Sequence, residues 1–164
     1  MHREQRRAGA CARARSLTAG VLLAGLALVA ACGPGEEEIA ANRQAAIDVV
    51  ESFGGRLLYV NLLQENRDSL AADIRDTYGP YVTTLLLGGW LSMPGSAPGR
   101  ETSSPWPSGI EVREATPIGS TGFQITGDIL YVTSVDSDPV LRTPFQARVV
   151  RGQDDVWRIS EWNQ

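Results

Sequence analysis

Two hydrophobic periods divide the chain. Between residues 37 and 92 apolar positions recur at threes and fours, and after Gly109 they recur at twos. The first spacing predicts helices with one buried face, the second strands with one buried face. A first helix is expected from about Glu37 to Leu63, with Ile39, Ala46, Ile47, Val50, Phe53, Leu57, Leu58 and Leu62 on its inner side. Gly54-Gly55 interrupts that pattern. The pair implies a kink, a close approach by another element, or a loop that splits two shorter helices. A second helix should start near Asp68 or Ser69, both good N-cap types, and carry the stripe Leu70, Ile74 and Tyr78 to Gly79-Pro80. Thr83 or Thr84 could cap a short third helix, Leu85 to Leu91.

Residues 93–109 are rich in Pro, Gly and Ser and read as a long loop, with Trp106 held between Pro105 and Pro107 as a plug on the core. Four strands should follow. They contain Ile110 and Val112; Phe123, Ile125, Ile129 and Tyr131; Phe145, Ala147 and Val149; and Val156 to Trp162. Turns at Gly119–Gly122, at Asp136–Asp138 with Pro139, and at Gly152–Asp155 are short, so the strands should form an antiparallel meander. Gly127 within the second strand suggests a bulge or bend that curves the sheet. Helices first and antiparallel strands second predict an α+β fold, with N-terminal helices packed on a curved four-stranded sheet.

The N-terminal residues change the picture. Arg3, Arg6, Arg7, Arg13 and Arg15 precede an apolar run from Leu17 to Ala31. That is a signal-peptide n-region and h-region, shorter than the ~20 apolar residues of a permanent membrane span. The run ends in Val29-Ala30-Ala31-Cys32, which resembles the lipobox of bacterial lipoprotein precursors. The resemblance implies diacylglycerol on the Cys32 thiol, cleavage between Ala31 and Cys32, and a further acyl chain on the new amino group. It divides the chain into a signal peptide (1–31), a lipidated tether (32–37) and one domain (38–164). Localisation would be extracytoplasmic, on the cell membrane or the outer membrane. Gly33 is not the aspartate that typically retains such lipoproteins at the inner membrane.

Beyond residue 31 there are ten arginines against eighteen acidic residues and no lysine, a net charge of −8. That balance argues against nucleic acid as a partner, because phosphate binding needs a basic footprint. The two cysteines are Cys11 and Cys32, and the sole histidine is His2. A mature domain without His or free Cys has no Cys/His zinc site and no Ser-His-Asp or Cys-His mechanism, so no metal and no cofactor is expected.

The whole of residues 38–164 also resembles the nuclear-transport-factor-like superfamily, or cystatin-like cone. The likeness rests on the helix around Ile47-Asp48-Val49-Val50-Glu51-Ser52-Phe53, the helical hairpin, the late meander and the Trp157-Arg158-Ile159 ending. Tyr78-Gly79-Pro80-Tyr81-Val82-Thr83 with Ser104-Pro105-Trp106-Pro107 is similar to a group of bacterial lipoproteins without assigned activity. The superfamily implies a conical pocket between sheet and helices that takes a small molecule or a partner. Candidates to line it are Tyr78, Tyr81, Trp90, Trp106 and Tyr131, which combine apolar rings with polar tips; core packing is the alternative for each. The expected function is a non-catalytic module at the cell envelope that binds a protein or a small ligand. One alternative is an isomerase- or dehydratase-type enzyme using a carboxylate and a tyrosine, for which Asp128 and Tyr131 are the pair to test. They stand three apart on one strand and so face opposite ways, and Asp128 reads as solvent-facing. The other alternative is a structural part of an envelope or export assembly.

Overall fold

The computed structural model describes residues 35–164. The expected signal peptide and lipobox, Ala31 and Cys32 included, lie outside the described residues. Three α-helices, α1 (Glu36–Gly54), α2 (Arg67–Tyr78) and α3 (Thr84–Ser92), precede four strands, β1 (Trp106–Pro117), β2 (Gly122–Val132), β3 (Leu141–Arg151) and β4 (Trp157–Asn163). The strands pair antiparallel in the order β1-β2-β3-β4, so the sheet is an open meander with the helices packed on it: an α+β fold.

Helix α1 is shorter than its apolar spacing predicts. It stops at Gly54, and Leu57–Tyr59 form a separate 3₁₀ turn that buries Leu57. The reason is contact with the sheet. A Cβ on Gly54 would lie 2.7 Å from the side chain of Ile110 on β1, so only a glycine lets the helix end come this close. Glu36, Glu37 and Glu38 fill the first turn, where the macrodipole favours negative charge. Helix α2 starts earlier than expected. Its N-cap is Asn66, whose side-chain oxygen accepts the Ser69 N–H at 3.0 Å, so neither Asp68 nor Ser69 is the cap. The stripe Leu70, Ile74 and Tyr78 is buried as its spacing requires. Thr83 caps α3, accepting the Leu86 N–H at 3.4 Å.

The core lies between the helices and one face of the sheet. Ala46, Val50 and Phe53 of α1 and the α2 stripe meet Phe123, Ile125, Ile129, Phe145, Ala147, Val149, Trp157 and Ile159. Phe53 is the hub. Its ring centroid lies 4.7 Å from that of Tyr78, 5.1 Å from Trp162 and 6.1 Å from Trp90. Trp162 in turn stacks on Phe145 at 4.8 Å. Aromatic pairs at these distances add about 0.5–1.5 kcal/mol each beyond their burial.

The other face of the sheet departs from its expected reading. Asp128 is buried, only 3% exposed, and does not face solvent. A register shift between Val112 and Glu114, opposite Gly127, makes Arg113 an extra residue of β1. Its guanidinium pairs with the Asp128 carboxylate and covers it. The bulge expected at Gly127 therefore sits on the neighbouring strand, and Gly127 serves the close approach. A Cβ there would fall 2.2 Å from the Glu111 carbonyl oxygen. Arg142–Glu111 and Arg148–Glu161 continue the ion pairs over this face. Trp106 is the other correction. It is the half-buried first residue of β1, opposite Val132, and no part of the core cluster. A proline is tolerated at the start of an edge strand, which is why Pro107 does not end the pairing.

Both edges of the sheet are modified. Along β4, the Ile159 N–H donates to the Tyr81 carbonyl and the Thr83 N–H donates to the Ile159 carbonyl, each at 2.9 Å. Residues 81–83 thus add a short parallel bridge at Val82. Along β1, register shifts at Ser108 and Arg113 break the regular ladder.

Urea unfolding should separate the glycine roles. Gly54→Ala and Gly127→Ala should each lose about 1–3 kcal/mol, with Gly127→Ala the worse because it meets backbone. Gly88→Ala, with nothing within 4 Å of its added carbon, should gain about 0.5–1 kcal/mol from helix propensity.

Candidate functional site

The five aromatic candidates do not converge on one cavity. Tyr78 and Trp90 are core residues, 0% and 5% exposed, with ring centroids 5.6 Å apart. They and Phe53, Trp162 and Phe145 occupy the space between helices and sheet where a conical pocket would open. The Tyr78 hydroxyl donates to the Pro98 carbonyl at 2.7 Å, and burial pushes its pKa well above the ordinary phenol value. Trp106 and Tyr131 lie at the β1–β2 side of the sheet and face opposite ways from their register positions. Tyr131 is half-buried. Burial raises its pKa first and the charge of Glu101 raises it further, against a hydrogen bond with Thr143. Asp128, committed to Arg113 on the outer face, is not on the side of Tyr131.

Of the five, Tyr81 lines a cleft at the end of α1. Val82 is buried at the β4 bridge; its neighbour Thr83 caps α3, and Tyr81, half-buried and packed against the core, reaches the end of α1 with its hydroxyl. Arg56 follows the glycine pair that ends α1, and its Nε–H donates to the Tyr81 hydroxyl at 3.2 Å. That bond is the main reason the Arg56 pKa is raised above its ordinary value. With Tyr59, Asp76, Thr77 and Pro80 these residues line a cleft of about 400 Å³. Tyr59, from the 3₁₀ turn, is 63% exposed. Among the described residues neither Arg56 nor Asp76 takes part in an ion pair, with each other or with any other group. The spacing of residues 56 and 81 along the chain carries no motif, so only Tyr81 of this set was legible beforehand.

Charges are paired in parts of the other clefts, although Arg43 and Glu51 in one and Glu65 and Arg67 in another make no ion pair among the described residues. One of about 430 Å³ beside α3 contains Asp154 and Arg158, bonded to each other at 2.8 and 3.0 Å. The Arg158 hydrogen bond pulls the Asp154 carboxyl down to about 2. A third, of about 700 Å³ between α1 and β1, includes Arg113, already paired with Asp128. Among the described residues no group of three or more His, Cys, Asp or Glu side chains is placed to hold a metal ion. No helix among them is long and apolar enough to cross a membrane.

Comparison with known proteins finds no matching family model, no matching curated protein and no matching solved structure.

Two measurements check this account. Tyr78→Phe leaves the buried Pro98 carbonyl without its donor and should cost about 1–3 kcal/mol in chemical unfolding. Asp154 should titrate near 2 by carbonyl NMR, and Arg158→Gln should return it toward 3.8. Because the folded value is depressed, the pairing favours the folded state above pH ~4 and is lost as pH falls through ~2.

Proposed function

We propose that this chain is a lipoprotein, held by an acylated Cys32 on the extracytoplasmic face of a cell membrane or outer membrane. Its domain then serves as a non-catalytic binding module for a protein or a small ligand of the envelope. The observation that carries the reading is the order of features before the domain. Five arginines, an apolar run free of charged residues and Val29-Ala30-Ala31-Cys32 follow one another, and α1 begins only four residues after the cysteine, at Glu36. Each methylene of an attached chain buried in the bilayer contributes about 0.8 kcal/mol, and two or more chains give stable attachment where one does not. Binding is supported by the packing. Aromatic side chains fill the interior, while Arg56 and Asp76, neither in an ion pair among the described residues, line an open cleft with Tyr81.

The test is Cys32→Ser. Wild-type chain expressed in a bacterium should incorporate labelled palmitate and give an intact mass beginning at acylated Cys32. The variant should take no label and keep residues 1–31. Equal labelling of both proteins would remove the anchor.

A further inference from the structure

We infer that the cleft between Arg56, Tyr59, Asp76 and Tyr81 is a binding site for an amino-acid α-carboxylate, such as the C-terminal residue of a peptide. The inference rests on the binding half of the proposed function and does not depend on the anchor.

The Arg56 guanidinium carries the argument. Its Nε–H is spent on the Tyr81 hydroxyl at 3.2 Å, which restricts the orientation of an otherwise exposed group. Its two terminal nitrogens make no hydrogen bond and no ion pair among the described residues. A guanidinium held by one edge with its other donors free presents a planar fork, the geometry that a carboxylate meets with two parallel bonds. The Tyr81 hydroxyl accepts from Arg56 and so keeps its own proton to donate to the same anion.

The rest of the cleft narrows the choice of anion. Asp76 stands in the same cleft, and a carboxylate there disfavours any anion, a dianion such as phosphate more than a single carboxylate. It would, however, accept from an amide N–H or an ammonium group attached to the same carbon as the bound carboxylate, and the Thr77 hydroxyl offers a second acceptor. A group with a carboxylate and a neighbouring N–H donor is what an amino acid or a peptide end supplies. The exposed Tyr59 ring and Pro80 offer an apolar surface to its side chain. The volume of about 400 Å³ lies in the range of ~300–1,000 Å³ typical of small-ligand sites. Long-range attraction is not the cause, since the sequence beyond residue 31 carries −8. An anion that settles here does so against the overall field, by local geometry.

The experiment uses the full chain in neutral detergent micelles at moderate salt, followed by NMR of the Arg56 side-chain Nε–H and the Tyr59 and Tyr81 ring signals. Four probes are titrated: N-acetyl-alanyl-alanine, the same dipeptide as its C-terminal amide, free alanine and inorganic phosphate. The acid dipeptide should bind saturably with a dissociation constant on the order of 1 mM. The amide should bind at least about tenfold more weakly, since it loses the charge-assisted fork. Free alanine binding as tightly as the acid dipeptide assigns the site to free amino acids, and weaker binding assigns it to peptide ends. Arg56→Lys should weaken the acid dipeptide about tenfold or more, and Tyr81→Phe about two- to tenfold, with unchanged far-UV circular dichroism. The inference is overturned if phosphate binds as well as the acid, if the amide binds equally, if Arg56→Lys binds normally, or if no probe shifts these signals. Palmitate labelling decides the anchor separately, so the two proposals fail independently.

Discussion

The structure depends on a phenol buried in its core. Tyr78 ends α2 with its ring against Phe53 and Trp90 and its hydroxyl on the Pro98 carbonyl. A hydroxyl taken out of water costs several kcal/mol unless it finds a partner, so this bond determines where two elements go. It fixes the end of α2 against the segment that leads into β1. Three residues further on, Tyr81 joins the edge of β4 through its carbonyl. The end of α2 and the bridge to β4 together set Tyr81 beside Arg56, whose Nε–H its hydroxyl accepts.

The outer face of the sheet solves a different problem. No helix among those described packs on it, yet Asp128 is enclosed there. The enclosure comes from side chains of adjacent strands. The extra residue in β1 directs Arg113 over the carboxylate, and Arg142 pairs with Glu111 alongside it. An arginine can do this because its stem covers apolar surface while its head stays wet. Arg113 remains largely exposed while its partner is almost fully buried.

Much of the fold was legible because period and topology are local properties. Leu70, Ile74 and Tyr78 repeat every four residues, and Phe123, Ile125 and Ile129 keep the even spacing of a strand, so both elements follow from the order of residues alone. The end of α1 was not, since Leu57, Leu58 and Leu62 continue a helical rhythm across Gly54-Gly55, and only Ile110, far along the chain, explains the stop. Asn66 was missed because Asp68 and Ser69 are cap types too, and the choice depends on where the first turn closes. Asp128 was misread because strand alternation gives the face correctly but says nothing about a bulge on the next strand. Trp106 was misread because prolines on both sides suggest a loop, whereas an edge strand tolerates them. At the cleft, Tyr81 could be named from its chemistry, but Arg56 becomes its neighbour only through tertiary packing.

The two sheet edges bear on crowding. An unpaired strand edge is a template for another chain, and this sheet leaves neither of its edges straight and bare. One carries the bridge at Val82, and the other is interrupted at Ser108 and at Arg113 and studded with charge. A protein confined to a lipid surface meets its own copies at a far higher local concentration than one dispersed in bulk. Were the domain anchored as proposed, blunted edges would let a layer of such neighbours stay separate molecules instead of stitching into a continuous ribbon.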